Sequence, residues 1–258
     1  MPEPASESPT SRSPAGQRPA GWPPDWSRVW PAGWHVQFVA ETGSTNADLI
    51  AAGVAGAPDR TVLAAGHQTA GRGRLDRRWE APEGANLLVS LLLRDVPKYA
   101  HELTQRVALA AVEACRLVAN VDSDLKWPND VLLRGGKLAG VLAQAASSPS
   151  GDFVVVGIGI NVGWAPPDAE RLGDSVTPGE LLHALLVAYD ALPSSITELY
   201  RQRLATIGQQ VRIELPGDRF IVGRAIEVEA DGRLVVLDDC AMTHRIDTGD
   251  VVHLRPAD

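Results

Sequence analysis

The sequence predicts an α/β fold of the α+β type, a mixed sheet with flanking helices, followed by a small C-terminal SH3-like β-barrel. Three observations predict it. From His35 to Val162, apolar runs of strand length alternate with two helical patterns. After Gly208 the texture changes to five short strands in about fifty residues, "QVRIEL", "FIVGRAIEVE", "RLVVLD", "MTHRI" and "VVHL". That density of strands at this size describes a small barrel. Finally, 258 residues, 45% of them hydrophobic, suffice for one large domain or for a main domain with a small companion. The expected boundaries are 1–34 for a Pro/Ser/Trp-rich leader, 35–206 for the main domain and 207–258 for the barrel.

Residues 1–24 hold seven prolines and four serines and no apolar run. Such a segment buries too little surface to offset its ordering entropy and is expected to be disordered. Trp22, Trp26, Trp30 and Trp34 recur every fourth residue, but Pro23, Pro24, Pro31 and Gly33 interrupt any helix. We read them as aromatics that pin the leader to the folded body. "HVQFVA" is a strand, and "STNADLIAAG" a helix that starts at a Ser/Thr cap and stops at Gly53. "TVLAAGHQ" enters an arginine-rich loop as a strand, and "NLLVSLLLR" leaves it as another. "ELTQRVALAAVEACRLVAN" is a helix apolar nearly all round, suited to packing on a sheet. "LKWPND", "VLLRGGKLAGVLAQAA" and "FVVVGIGINV" are strands, the second a hairpin turning at Gly135-Gly136. Pro193 divides the next stretch into two helices, roughly 179–191 and 194–206. Turns in the barrel fall at Pro216-Gly217, Asp231-Gly232 and Thr248-Gly249.

Charge narrows the partners. The net charge is −8, and counts of basic against acidic residues are three to three over 1–34, 15 to 19 over 35–206 and six to ten over 207–258. No region has the basic surplus that neutralising duplex phosphates requires, so nucleic acid is not an expected partner. No secretory h-region or membrane-length apolar run is present. Cys115 and Cys240 lie far apart, and Cys115 sits in a helix that looks buried, which fits a reducing cytoplasm without a disulfide.

Against this acidic background, "HQTAGRGRLDRRW" packs four arginines into Arg72–Arg78. Gly71 and Gly73 alternate with Arg72 and Arg74, so a tightly bending backbone can fan guanidinium groups toward one point. Guanidinium forks clamp carboxylates and phosphates in a bidentate way. Taken alone, a solvated charged loop is an equal reading; its place between two strands, ending in Trp79, favours a small anionic ligand beside a flat ring. In "LKWPNDVLLRGGKLAG", Lys126, Asn129, Asp130 and Lys137 are polar residues within strands otherwise expected to be buried, and a buried lysine calls for an anion. Pro128 within a strand pattern marks an edge or a bulge. "GIGINV" places glycines inside a strand, where a ligand or tightly packed helix can approach; its spacing is not a dinucleotide fingerprint. In "TGSTNADL", Ser44 is most simply an N-cap, and Ser44, Thr45 and Asn46 together offer three polar side chains at a helix start.

"STN", "QTAGRGR" with tryptophan five residues later, "KWPND", "KLAG" and "GIGIN", in this order, closely resemble the biotin protein ligases, from about Trp34 to the C-terminus. The resemblance implies a sheet-and-helix catalytic domain related to class II aminoacyl-tRNA synthetases, and the SH3-like barrel. It implies an ATP-dependent ligase that activates biotin as biotinyl-5′-AMP. The biotin then passes to a lysine of a biotin-carboxyl-carrier domain of an acyl-CoA carboxylase, with ATP and Mg²⁺ required. Some members carry an N-terminal winged helix-turn-helix; the roughly 34 residues before the motifs here are too few for one, so a form without DNA binding is expected. By resemblance Ser44, Thr45, Asn46 and Gln68 read the biotin head, while Gly71, Arg72, Gly73 and Arg74 enclose the reacting centre. Lys137 contacts carboxylate and phosphate oxygens and, with Arg72 and Arg74, is catalytic. Trp79, Lys126, Asn129 and Asn161 serve ATP or the adenylate, Trp79 flanking the adenine. Asp130 is a candidate for orienting or deprotonating the acceptor lysine, whose amine has a reference pKa of about 10.4; a metal or structural role is the alternative, and the metal ligands are unassigned. A monomer or weak homodimer without membrane attachment is expected. One departure is Asp76, where most family loops have glycine. Asp76→Gly is expected to preserve catalysis and tighten adenylate retention.

The nearest rival is a lipoate or octanoate ligase of the same fold, whose substrate lacks a ureido head and needs fewer donors near Ser44. A biotin-binding sensor without turnover is opposed by Lys137 and Arg74, and a nucleic-acid-binding role by the charge of −8.

Overall fold

The computed structural model describes residues 26–75, 77–215, 219–247 and 250–253. Its main sheet is built from β1 (His35–Thr42), β2 (Thr61–Gln68), β3 (Leu87–Leu93), β4 (Asp124–Lys126), β5 (Asp130–Leu133), β6 (Gly136–Ser148) and β7 (Gly151–Ile160). The spatial order is β1-β2-β3-β7-β6-β5-β4. Only β1 and β2 pair in parallel; the other five pairings are antiparallel, so the sheet is mixed.

Alternation along the strands assigns each face of this sheet a different cover. On β3 and β7, Leu87, Val89, Leu91, Val154 and Val156 enter the main core. Helix α2 (His101–Ala119) and helix α3 (Pro178–Asp190) pack on that side and against each other. Cys115 is fully buried there, and burial pushes its thiol up to about 12, which leaves it inert. The opposite residues, Leu92, Phe153 and Val155, form a smaller core with Leu49 of helix α1 (Thr45–Val54). The expectation that α1 stops at Gly53 is corrected: the helix runs through it. A Cβ there would lie 2.5 Å from the Phe153 ring, so the glycine serves close packing. Arg94 closes the helix end by donating to the carbonyls of Gly53 and Ala57, both at 2.8 Å.

Three of the four tryptophans in the early stripe are described, and they pin the chain as anticipated. Trp26 and Trp34 are buried in the main core, Trp26 against Phe38 and Trp34 edge-on to Tyr189. Trp30 tilts against His183. The Trp34 indole donates to Asp190 at 3.0 Å, and Arg60, ion-paired with Asp190, lies 4.2 Å over its ring. Residues 1–25, including Trp22, fall outside the described residues.

Two turns differ from expectation. "KWPND" is not a continuous strand: β4 ends at Lys126, a turn containing the cis Trp127–Pro128 bond follows, and β5 begins at Asp130. β4 is the sheet edge, where proline removes no ladder bond. The hairpin between β5 and β6 turns on Arg134-Gly135, one residue before the expected pair. Both have left-handed φ, 51° and 83°, the conformation that two-residue turns favour.

Helix α4 (Thr197–Arg203) leads to the C-terminal unit, where β8 (Gln210–Leu215), β9 (Arg219–Val228), β10 (Leu234–Leu237), β11 (Thr243–Ile246) and β12 (Asp250–His253) match the five anticipated strands. They form an antiparallel sheet in the order β11-β10-β9-β8-β12, around buried Val211, Ile213, Ala225, Leu234 and Val236. A bulge between Val235 and Val236 bends it. The Asp231-Gly232 turn is where it was expected; Pro216-Gly217 and Thr248-Gly249 lie outside the described residues. The unit docks on the main domain through polar bonds. Trp127 donates its indole N–H to the Gly232 carbonyl at 2.9 Å and its backbone N–H to Thr206 Oγ1 at 3.0 Å. Arg201 donates to the Val228 carbonyl at 2.7 and 2.9 Å.

Candidate active site

The cavity of about 270 Å³ lies on the α1 face of the sheet, and its floor is written in the β7 alternation. Along that face the side chains run Phe153, Val155, Gly157, Gly159: bulky under the C-terminal half of α1, absent under its start. Each glycine admits a particular neighbour. Gly157 is paired with Ser90 on one side and Leu142 on the other. Asn46 lies over it so closely that a Cβ would collide with the amide oxygen. Gly159 is paired with Gly140, and the Trp79 indole rests on that pair; a Cβ at Gly159 would overlap the ring, and one at Gly140 would stand 3.2 Å from it.

One end of the cavity is a hydrogen-bonded cluster at the start of α1. Asn46 donates from Nδ2 to the Leu142 carbonyl at 3.1 Å and to Gln144 Oε1 at 2.8 Å, and Ser90 Oγ donates to its Oδ1 at 2.6 Å. Gln68 Oε1 accepts from the Thr45 backbone N–H at 2.8 Å and from its hydroxyl at 3.0 Å. Ser44 occupies the N-cap position with extended backbone, but its side chain makes no cap bond, which corrects the simple capping role. Ser44 lines the cavity instead, as does Gln68, whose bonds from Thr45 both fall on Oε1 and leave Nε2 for a ligand. The donors left for a ligand are therefore Ser44 Oγ and Gln68 Nε2.

The other end is cationic. Arg72, Arg74, Arg77, Arg78 and Lys137 line it, against two carboxylates among the described residues, Asp130 and Glu80. The arginine loop is a small hairpin: the Trp79 N–H donates to the Gly71 carbonyl at 3.0 Å, the Gly73 N–H to Arg77 at 2.6 Å, and Arg72 faces Arg78. Its glycines do not act as anticipated. Neither has positive φ; among the described loop residues the left-handed one is the exposed Leu75, with φ 52°. Gly71 is required because a Cβ would collide with the Trp79 carbonyl, whereas at Gly73 it would meet Arg77 at an ordinary 3.5 Å. Asp76, with its expected effect on closure, lies outside the described residues. Arg74 donates to Asn129 Oδ1 at 3.2 Å, and Asn129 Nδ2 donates to the Val141 carbonyl at 2.8 Å, so the KWPND turn anchors the hairpin. Lys137 Nζ is 2.7 Å from Asp130 and 5.7 Å from the Trp79 ring centre. The Trp79 Nε1 donor is buried with no hydrogen-bond partner among the described residues.

Of the expected site residues, Ser44, Thr45, Asn46, Gln68, Arg72, Gly73, Arg74, Trp79, Asn129, Asp130, Lys137 and Asn161 line the cavity. Lys126 and Gly71 do not: Lys126 pairs across the ladder with Asp130, and Gly71 packs beneath Trp79. Asn161 is buried and saturated. It donates to the carbonyls of Lys137 and Glu170 at 3.4 and 3.1 Å and accepts from Asn86 at 3.2 Å, so it braces the wall. Ser90, Asn86 and Gln144 went unread in the sequence. The available signal was a lone hydroxyl in "LLVSLLL" and an amide just before it, polar groups a buried strand does not otherwise tolerate.

A mixed sheet with a glycine floor, hydrogen-bonding groups at one end of its cavity, cations at the other and an SH3-like unit beside it defines the class of ligases that attach a carboxylic acid to protein. Residues 42–161 match the biotin/lipoate A/B protein ligase family, and residues 206–254 the biotin protein ligase C-terminal domain. The chain is 42% identical to a biotin–[acetyl-CoA-carboxylase] ligase of Mycobacterium tuberculosis over 87% of this chain and 91% of that protein. It is 37% identical to a bifunctional ligase/repressor of Bacillus subtilis, over 70% of this chain and 62% of the relative. The Aquifex aeolicus biotin protein ligase, solved with biotin and ATP, superposes with a TM-score of 0.70 at 26% identity, covering 86% of this chain and 99% of the other. The chain belongs to the biotin protein ligase family and is an enzyme of that family.

Proposed function

We propose that this ligase joins biotin to ATP in the described cavity and then transfers it to one lysine of a biotin-carboxyl-carrier domain of an acyl-CoA carboxylase. In the first step a biotin carboxylate oxygen attacks the α-phosphorus; an acyl–phosphate bond forms, the α–β bridging bond breaks and pyrophosphate leaves. Two anions must approach each other, and the observation that carries the reading is the excess of cations, Arg72, Arg74, Arg77, Arg78 and Lys137, on one cavity wall of a chain of net charge −8. Fixed guanidinium and ammonium groups stabilise the charge that develops, most strongly where water is excluded. In the second step the acceptor amine attacks the acyl carbon, the amide forms, AMP departs and the amine loses its proton. We assign the orienting of that amine to Asp130, which lies 2.7 Å from Lys137.

Among the described residues no three His, Cys, Asp or Glu side chains gather as a metal cage would require. The donor set fits magnesium carried on the nucleotide's phosphates, with Asp130 the protein carboxylate to reach it, since Mg²⁺ keeps water and phosphate around itself. When bound, such an ion supplies further positive charge to the polyphosphate. We assign biotin's head to Ser44 and Gln68, with Thr45 and Asn46 beside them, and the adenylate to the Trp79 end. In the same reading 35–206 is the catalytic domain, 207–258 the small companion, and the cytoplasm the compartment. Among the described residues no helix is long and apolar enough to cross a membrane.

The test mixes the protein with biotin, Mg-ATP and a carboxylase biotin domain, with lipoate as a parallel substrate, and weighs the acceptor. One biotin on one lysine, absent with Lys137→Ala, is the expected result; no gain with the wild type overturns it, and a gain from lipoate but not biotin reassigns the substrate.

A further inference from the structure

We propose that Ser90, which the reaction never touches, sets the specificity of the cavity by fixing the direction of Thr45's hydroxyl proton. The inference rests on the biotin reading above and deepens it. Ser90 is 0% exposed, in the middle of β3, and does not line the cavity.

The direction of each proton follows from a backbone carbonyl. The Leu142 carbonyl only accepts, so the Asn46 amide must turn its nitrogen toward it, at 3.1 Å. Both Nδ2 protons are then committed, to Leu142 and to Gln144. Asn46 Oδ1 consequently faces Ser90 as an acceptor, and Ser90 gives it its only proton, at 2.6 Å. Ser90 Oγ, 2.7 Å from Thr45 Oγ1, is left able only to accept. Gln68 is fixed in the same way: its Oε1 faces the Thr45 backbone N–H at 2.8 Å and also only accepts. Thr45's single hydroxyl proton therefore has two protein acceptors, Ser90 Oγ at 2.7 Å and Gln68 Oε1 at 3.0 Å, and both hold it away from the cavity. What Thr45 turns to a ligand is a lone pair.

The cavity end thus has a polarity. Ser44 Oγ and Gln68 Nε2 donate, and Thr45 Oγ1 accepts, a pattern complementary to a cyclic urea, which offers a carbonyl between two N–H groups. An isostere with ring oxygen in place of the N–H at Thr45 would set lone pair against lone pair. Without Ser90 only Gln68 Oε1, at 3.0 Å, still holds the proton, and Thr45 can turn it into the cavity for the loss of a single hydrogen bond and tolerate either ligand. Ser90 is a positioning residue for discrimination rather than for affinity.

The test measures, by calorimetry, binding of biotin and of its two cyclic carbamate analogues, in each of which a ring oxygen replaces one ureido N–H. For the wild type, one analogue should bind on the order of 10- to 100-fold more weakly than biotin, the effect of one mismatched buried hydrogen bond. In Ser90→Ala that ratio should fall to a few-fold, while ATP affinity stays close to wild type. Ser90→Cys, whose sulfur accepts weakly, should give an intermediate ratio and serves if alanine impairs folding. An unchanged ratio in both variants, with biotin bound normally, overturns the proposal and leaves the ligase reading intact. Loss of biotin, carbamate and ATP binding by the same factor overturns it as well, because it marks a general packing role. A folded wild type that binds no biotin sinks the ligase reading and this proposal with it.

Discussion

At the scale of single residues, the site consists of side chains admitted by missing side chains. Asn46 lies over Gly157 and Trp79 over Gly159, in each case closer than a Cβ permits. Asn46 is held by three hydrogen bonds and cannot yield freely. Gly157→Ala should therefore raise the KM for biotin at least tenfold with little change in the KM for ATP, in steady-state adenylation assays. Gly159→Ala should displace the indole instead, and its larger effect should fall on the nucleotide; equal effects on both substrates in both variants would contradict this division. The sequence motifs made most of the cavity-lining residues legible because a lysine, an arginine or a glycine in a strand is locally anomalous. Ser90, Asn86 and Gln144 were hidden because their meaning is pairwise. Ser90 acquires a role only when β3 lies beside β7 and places it across from Gly157.

At the scale of elements, strands were legible almost to the residue and turns were not. β2 and β8 coincide with the runs read from alternation, since a buried strand repeats its signal over six to eight residues. A turn has two residues in which to declare itself: Gly135-Gly136 is the conspicuous pair, while the turn forms one step earlier, at Arg134. The KWPND stretch reads as a strand because its flanks are strands. Helix α3 shows the opposite case, a start spelled out locally. Thr177 and Glu180 form a reciprocal capping box at 3.3 and 3.2 Å, with Pro178 opening the helix. Thr177→Ala should cost about 1 kcal/mol. That corresponds to a fall of roughly 2–4 °C in Tm for a domain of this size, with unchanged turnover; a fall beyond about 8 °C would show that α3 depends on more than its cap.

At the scale of the whole molecule, the two sheets meet where the Asp231-Gly232 turn reaches the start of α2. Gly232 has φ 84°, and a Cβ there would collide with the His101 ring, so Gly232→Ala should loosen docking of the C-terminal unit. Burial holds the His101 pKa below its ordinary value, against the opposing pull of the Asp231 and Glu102 carboxylates. The unfolded chain therefore binds the proton more readily than the folded one, so this contact is intact above about pH 6.5 and weakens as pH falls through the folded value. The Tm difference between wild type and His101→Gln should shrink between pH 7.5 and 5.5; a difference that grows on acidification would reverse the sign. Motifs and strand alternation revealed both units, but not how they join. Trp127 and Arg201 reach the C-terminal unit through the backbone carbonyls of Gly232 and Val228, which leave no mark on composition.

The central claim is that a cationic wall lets two anions react. Biotin-dependent exchange of labelled pyrophosphate into ATP measures that step alone, without an acceptor protein. Lys137→Met should reduce exchange by at least a hundredfold while biotin binding, read by calorimetry, stays within a few-fold of wild type, if the head binds as proposed at Ser44 and Gln68. Exchange that survives the substitution, with biotin bound normally, would contradict the account.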